Sequence, residues 1–277
     1  MAHRKKSPST DPTAIAQRPT TAIADPTAMF LRDAGAGMEG ATSDSFAIPF
    51  LMILQKGSPQ VDPESGTALK GAKAGMLFEN INGSMVDGKE GLTIIPCAYR
   101  RVFLHFSESK GFQGELLPEE VANKRAAGEI VEHKNRLYIP EKDGSVDPEE
   151  SDRINDARNH YVLIVDKNGM WRQALISLQS TQIKKSRALM TALNSLTIDT
   201  PKGPIMPPTF ASKVKVTTVP ESNDKGSWMG WHFELNGFVD DANLYEAARR
   251  FHKSVTQGTV AVKYTSVDPL KEEEKEF

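Results

Sequence analysis

Cations and aromatic rings gather between residues 180 and 231, and together they suit a polyanion that carries flat bases. Ser180-Thr-Gln-Ile-Lys-Lys-Ser-Arg187 puts Lys184, Lys185 and Arg187 beside hydroxyl and amide donors where a helix is expected to begin. Helix N-termini favour anions, so backbone and side chains act in the same direction there. Lys213 and Lys215 share one parity of an expected strand, opposite Val214 and Val216, and so face solvent together. Asn223-Asp-Lys-Gly-Ser-Trp-Met-Gly-Trp231 adds Lys225 and Trp228 in a glycine-containing loop, and Arg100 and Arg101 adjoin Tyr99 and Phe103. Phosphates pair with Lys and Arg while bases stack on rings, so the mixture points to single-stranded nucleic acid. Each of these readings has a plainer rival. Trp231 alternates with Phe233 and Leu235, which is core patterning, and lysine pairs also belong to ordinary solvated faces. Arg249, Arg250 and Lys253 lie at a helix C-terminal end, where they complement the dipole without a ligand.

Catalytic chemistry finds no comparable set. Gly83-Ser-Met-Val-Asp-Gly-Lys-Glu90 has the glycine and lysine spacing of a phosphate loop, but Glu90 stands where a hydroxyl must meet magnesium. His3, His105, His133, His160, His232 and His252 lack metal-ligand spacing. Cys97, the sole cysteine, excludes an internal disulfide and a thiolate zinc cluster, and its apolar surroundings predict a buried, inert thiol. Acidic residues across 147–156 read as a solvated loop, with a nuclease metal site as the weaker rival. The chain is therefore read as a non-enzyme that needs no metal or cofactor.

The stretch Asp268-Pro-Leu-Lys-Glu-Glu-Glu-Lys-Glu-Phe277 carries five acidic and two basic side chains. Glu272, Glu273, Glu274 and Glu276 supply long-range attraction to basic surfaces. Phe277 joins a hydrophobic ring to the terminal carboxylate, a pair that a partner's pocket can bury and neutralise. This resembles the C-terminal tails of bacterial and phage single-stranded-DNA-binding proteins. The segments Ile48-Pro-Phe-Leu-Met-Ile-Leu-Gln55, Leu92-Thr-Ile-Ile-Pro-Cys-Ala-Tyr-Arg100, Ser180-Thr-Gln-Ile-Lys-Lys-Ser186 and Asn223-Asp-Lys-Gly-Ser-Trp228 also resemble a phage protein family commonly called single-stranded-DNA-binding. The resemblance implies a phage context, a strand-binding core and a tail that recruits replication or recombination proteins.

The elements that must position these residues are mostly strands. Residues 1–45 are rich in Ala, Thr, Pro, Ser and Asp, and are expected to be a disordered arm. Phe50–Gln55 suits a short helix or a buried strand. Gly91–Cys97 and Ala98–Phe106 read as strands, Glu108–Gly114 as a loop, Pro118–Ala127 as a helix and Glu141–Asp156 as an acidic loop. Lys167-Asn168-Gly169 between apolar runs is a strong hairpin signal. A helix capped by Ser180 or Thr181 follows, with Ile183, Leu189, Met190, Leu193 and Leu196 at helical spacing. Strands over Phe210–Val219 and Trp228–Val239, a helix begun by Asp240 or Asp241, and a strand Thr259–Tyr264 complete the pattern. The expected fold is mainly β with two or three helices: an OB-like, partly open barrel over 46–267, followed by the acidic tail 268–277.

Net charge is −2, yet the acidity resides in the tail, which leaves the middle about neutral. No apolar run approaches a bilayer span, so no membrane role is expected and the host-cell cytoplasm is the expected location. The favoured function is sequence-tolerant binding of single-stranded DNA in phage replication or recombination. The rival is a protein-binding adaptor, a recombination mediator or host-inhibiting protein, with no DNA affinity of its own. Oligomeric state is not legible.

Overall fold

Two long strands, β4 (Leu92–Ser107) and β8 (Arg153–Val165), pair antiparallel from Thr93 opposite Val165 to Phe106 opposite Arg153. They belong to a computed structural model that describes residues 26–34, 36–39, 47–224, 226–260, 262 and 264. The register slips once: Pro96 faces Val162, Ala98 faces Tyr161, and Cys97 is the extra residue. Such a bulge exchanges the faces of the bulged strand. Ile94 therefore shares one face with Tyr99, Arg101 and Phe103, whereas Ile95 and Cys97 share the other with Arg100 and Val102. The Cys97 thiol is buried and pushed up to about 12 by desolvation, and its carbonyl accepts from His252 Nδ1 at 2.8 Å.

Further strands are distributed along this pair. β12 (Ser212–Asn223) and β5 (Gly111–Leu116) take the two ends of the free edge of β4; β9 (Trp171–Gln179) and β7 (Arg136–Tyr138) take those of β8. β13 (Gly226–Phe238) and β6 (Val131–His133) are the outer strands of the order β13-β12-β4-β8-β7-β6. A small sheet of β1 (Leu51–Ile53), β2 (Leu77–Glu79) and β3 (Met85–Val86) lies beside β9, and β10 (Ile198–Thr200) pairs with β11 (Gly203–Ile205). Among the described residues no pairing closes the large sheet on itself, where the sequence led us to expect a partly open barrel.

Helices pack on both faces instead. α2 (Pro118–Ala126) sets Val121 against Phe103 and Ile154, and α3 (Ile183–Asn194) sets Leu189 and Leu193 against Ile176, Leu178 and Trp231. On the opposite face α4 (Ala242–Thr256) buries Leu244, Ala248, Phe251 and Val255 over Ile95, Tyr161 and Leu163. Asp241 caps α4 as expected, accepting from Leu244 N at 2.8 Å. α1 (Pro26–Arg32) lies in the separate unit Met1–Ala41. It forms inside the arm expected to be disordered, aided by Pro26 at the first position and Arg32 in the last turn.

Several local expectations change. The Glu108–Gly114 stretch, read as loop, forms most of β5, because Phe112 packs on Phe106 at 5.6 Å. β8 starts at Arg153, inside the stretch read as an acidic loop, since Ile154 and Ala157 alternate into opposite cores. Ser180 and Thr181 do not cap α3. They form a 3₁₀ turn, Ser180–Gln182, with Ser180 at φ +47°. None of the described residues in 259–264 joins a strand. Gly88, part of the rejected phosphate-loop spacing, is needed for packing: a Cβ there would lie 2.0 Å from both Gly75 O and Thr218 Oγ1.

The small sheet is tied to β9 by Glu79, 1 % exposed, which accepts Arg172 Nε at 3.0 and 2.8 Å on its two oxygens. α3 is tied to β8 by His160 Nε2 and Ser186 Oγ, 2.8 Å apart and buried.

Two expectations follow for stability. Gly88→Ala is expected to destabilise the protein at the upper end of the roughly 1–3 kcal/mol range for overpacking, read by urea unfolding; an unchanged midpoint would mean the loop moves freely off β12. Burial pushes the His160 pKa down to about 4, whereas an unfolded histidine titrates near ~6.5. The unfolded chain therefore binds the extra proton between those values. Stability is complete above about pH 6.5 and falls by roughly 3 kcal/mol as pH drops toward 4. His160→Gln is expected to flatten that slope in melts at pH 7 and 4.5, and parallel slopes would show that His160 contributes nothing to it.

Candidate nucleic-acid interface

Between α2 and α3 one face of the sheet is covered only in part: in the centre of β4 and β8, Tyr99 and Arg101 are exposed while Phe103 and His160 are buried. Tyr99 lies opposite His160, Arg101 opposite Arg158, and Phe103 opposite Asp156. Directly opposed residues share a face with their Cβ atoms close together, so these six form one patch. Tyr99 is 36 % exposed, its hydroxyl accepts from Arg158 Nη1 at 3.0 Å, and its ring lies 5.2 Å from that of His160. The Arg101 guanidinium sits 4.9 Å over the Phe103 ring and pairs with Asp156 at 2.7 Å. Arg158 pairs with the same carboxylate at 2.9 Å. Burial works against the Arg158 charge, but Tyr99 and Asp156 outweigh it and raise its pKa. Two guanidiniums share one carboxylate, so the patch keeps a net positive charge next to an accessible ring.

A second group gathers around Glu221 near the tip of the β12–β13 hairpin. Lys185 Nζ lies 2.6 Å and Lys184 Nζ 4.0 Å from Glu221 Oε1, and Trp228 Nε1 donates to Oε2 at 3.1 Å. Burial opposes ionisation of Glu221, yet Lys185, Trp228 and Lys184 hold its carboxyl below the usual range. Gly230 makes room for this carboxylate: a Cβ there would lie 2.4 Å from Oε2. Trp228 is half-buried, and its polar edge is committed to Glu221. Arg187 is exposed on α3 and forms no ion pair among the described residues. Trp231 is core, 6 % exposed and stacked on Phe233. The His160–Ser186 bond joins this group to the first, since Ser186 lies between Lys185 and Arg187.

The other residues expected at the site are elsewhere. Arg100 adjoins Tyr99 and Arg101 in sequence, but strand alternation turns it to the opposite face. There it donates to Val255 O in the last turn of α4 and lies 6.0 Å from the Tyr161 ring centroid. Lys213 and Lys215 alternate with buried Val214 and Val216; Lys213 pairs with Asp240 at 3.0 Å, and Lys215 stands opposite Glu234. Lys225 and the tail residues Glu272, Glu273, Glu274, Glu276 and Phe277 lie outside the described residues.

The sequence reading missed Arg158, although the alternation Ile154, Asp156, Arg158, His160 carries its signal. It also missed a cavity of about 340 Å³ between α4 and β9, where Trp171 and Gln173 face Arg250 and Ser254. No periodicity links those residues, which only packing brings together. Among the described residues no group of three or more His, Cys, Asp or Glu side chains could hold a metal ion. The acidic stretch is dispersed into pairs, Asp152 with His105 at 2.7 Å and Asp156 with the two arginines. No helix among the described residues is long and apolar enough to cross a membrane.

No curated protein and no solved structure matches the chain. The family model described as Pam3 phage gp34-like protein matches residues 19–261, a span that holds α1 and every strand among the described residues. The chain is therefore a bacteriophage protein and belongs to the Pam3 phage gp34-like family.

Proposed function

We propose that the protein binds single-stranded DNA on the partly covered stretch of sheet between α2 and α3, without catalysis, during phage replication or recombination. The accessible Tyr99 ring flanked by Arg101 and Arg158 carries this reading. An exposed ring on a sheet offers a base its π-face whatever the sequence, and the exposed Arg101 supports the reading as a cation for an adjoining phosphate. Lys184 and Arg187, exposed on α3 beyond the Ser186–His160 link, extend the basic surface along one edge. The likeness to an OB-type interface is one of use: a sheet face, rather than a groove between helices, meets the strand.

One observation favours the adaptor reading. Lys185, Lys213 and Arg101 each have a carboxylate partner, which leaves little unpaired charge to draw in a polyanion. On that reading the acidic stretch 268–277, with Phe277, is the working part and the sheet is scaffold. In the DNA-binding reading the same stretch recruits replication or recombination proteins and competes with DNA for the basic surface.

Two measurements separate the readings. Tyr99→Ala combined with Arg101→Gln is expected to weaken oligothymidine binding by roughly 2–4 kcal/mol, one stack and one phosphate contact, with little change in melting temperature. Wild-type affinity should fall steeply with salt; equal affinity for duplex, or none at low salt, would falsify the DNA-binding reading. Removing residues 268–277 is expected to strengthen DNA binding at low salt and abolish partner capture. Weaker DNA binding by the truncated chain would show that the acidic stretch does not compete.

A further inference from the structure

On the face opposite Tyr99, a row of polar side chains crosses three strands beneath an aromatic plug. Arg100 of β4 lies opposite Asn159 of β8, which lies opposite Ser177 of β9; Gln179 is the diagonal neighbour. Asn159 is fully buried, and its Oδ1, Ser177 Oγ and Gln179 Oε1 have no hydrogen-bond partner among the described residues. Buried polar atoms are nearly always paired, so three unpaired ones in adjacent register positions call for a partner, a water or a ligand group. The plug is Tyr264. Its ring packs between Phe50 at 5.4 Å and Phe112 at 4.8 Å, and its hydroxyl accepts from Asn159 Nδ2 at 2.6 Å. Burial, and then the Glu115 carboxylate beside it, push the Tyr264 pKa up. A cavity of about 220 Å³ adjoins the plug, lined by Arg100, Phe112, Glu115 and Tyr161.

We propose that the seat of Tyr264 is a nucleobase pocket, in which the tyrosine ring stands in for an unpaired base of a bound DNA strand. The hydrogen-bonding groups correspond in kind. The phenol offers a flat ring, one acceptor to the Asn159 amide and one donor beside Glu115. A base with adjacent C=O and N–H groups, such as thymine or guanine, offers the same set and stacks between Phe50 and Phe112. The orphaned oxygens of Asn159, Ser177 and Gln179 accept from the guanine amino group or, with thymine, from bridging water, and Arg100 lies beside them for a phosphate. The acidic stretch starts at Asp268, four residues after Tyr264 in sequence.

This inference rests on the single-strand reading and is tested separately from it. Tyr264→Ala in the full-length chain is expected to bind oligothymidine about tenfold more tightly than wild type, the size of one stack no longer opposed by the tyrosine. Tyr264→Phe is expected to fall between the two. Adding Asn159→Leu to Tyr264→Ala should cancel the gain. In wild-type protein, 4-thiothymidine within a bound oligonucleotide should cross-link to Phe112 or Tyr161. Affinity of a folded Tyr264→Ala equal to or below wild type overturns the pocket, and Tyr264 is then a structural plug. If that variant does not fold, the Tyr264→Phe affinity and the wild-type cross-links decide; unchanged affinity with cross-links confined to the Tyr99 face overturns the pocket equally. Failure here, with binding still dependent on Tyr99 and Arg101, leaves the proposed function intact. Absence of strand binding by every variant overturns both.

Discussion

One extra residue in one strand, Cys97, sets what each face of the sheet can do. Without it the parity of β4 would run unbroken from Ile94 to Phe106, and Tyr99 and Arg101 would turn toward the α4 side. With it, Tyr99 and Arg101 stand on the face that α2 and α3 cover only in part, and Arg100 turns inward. A bulge leaves backbone groups without their ladder partners, and here the Cys97 carbonyl is taken by His252 of α4. Arg100 then returns the bond by capping the last turn of the same helix at Val255. The irregularity in β4 and the docking of α4 thus support each other.

Charge is organised as tightly as packing. Glu79 meets Arg172, Asp156 meets Arg101 and Arg158, Glu221 meets Lys184 and Lys185, and Asp240 meets Lys213. The exposed pairs among these add little stability, because solvent screens them. Their consequence is for recognition: a polyanion approaching the protein must compete with carboxylates already in place. Binding by stacking on an accessible ring, with phosphates as a second term, suits such a surface better than binding by bulk positive charge. The near-neutral middle of the chain follows from this pairing of opposite charges.

Local patterns were legible wherever chemistry and periodicity coincided. The Asn168-Gly169 turn, the Asp241 start of α4 and the apolar stripe of α3 follow from short-range rules, as does the burial of Cys97 and Trp231. β5 and the start of β8 were not legible, because their strand pairing is decided by Phe106 of β4 and Leu137 of β7, which lie on other elements. Trp228 read as a stacking candidate, and nothing nearby in the sequence announces that Glu221 will accept from its indole nitrogen.

The sequence alone determined a mainly β chain with amphipathic helices, a buried thiol and scattered basic side chains among aromatics. It could not determine which of those cations share a surface. Side chains alternate along a strand, so a single inserted residue reassigns every later one, and whether an insertion is a bulge depends on the partner strand. Only the tertiary structure divided Tyr99 and Arg101 from Arg100, joined them to Arg158, and set three unpaired oxygens beneath Tyr264.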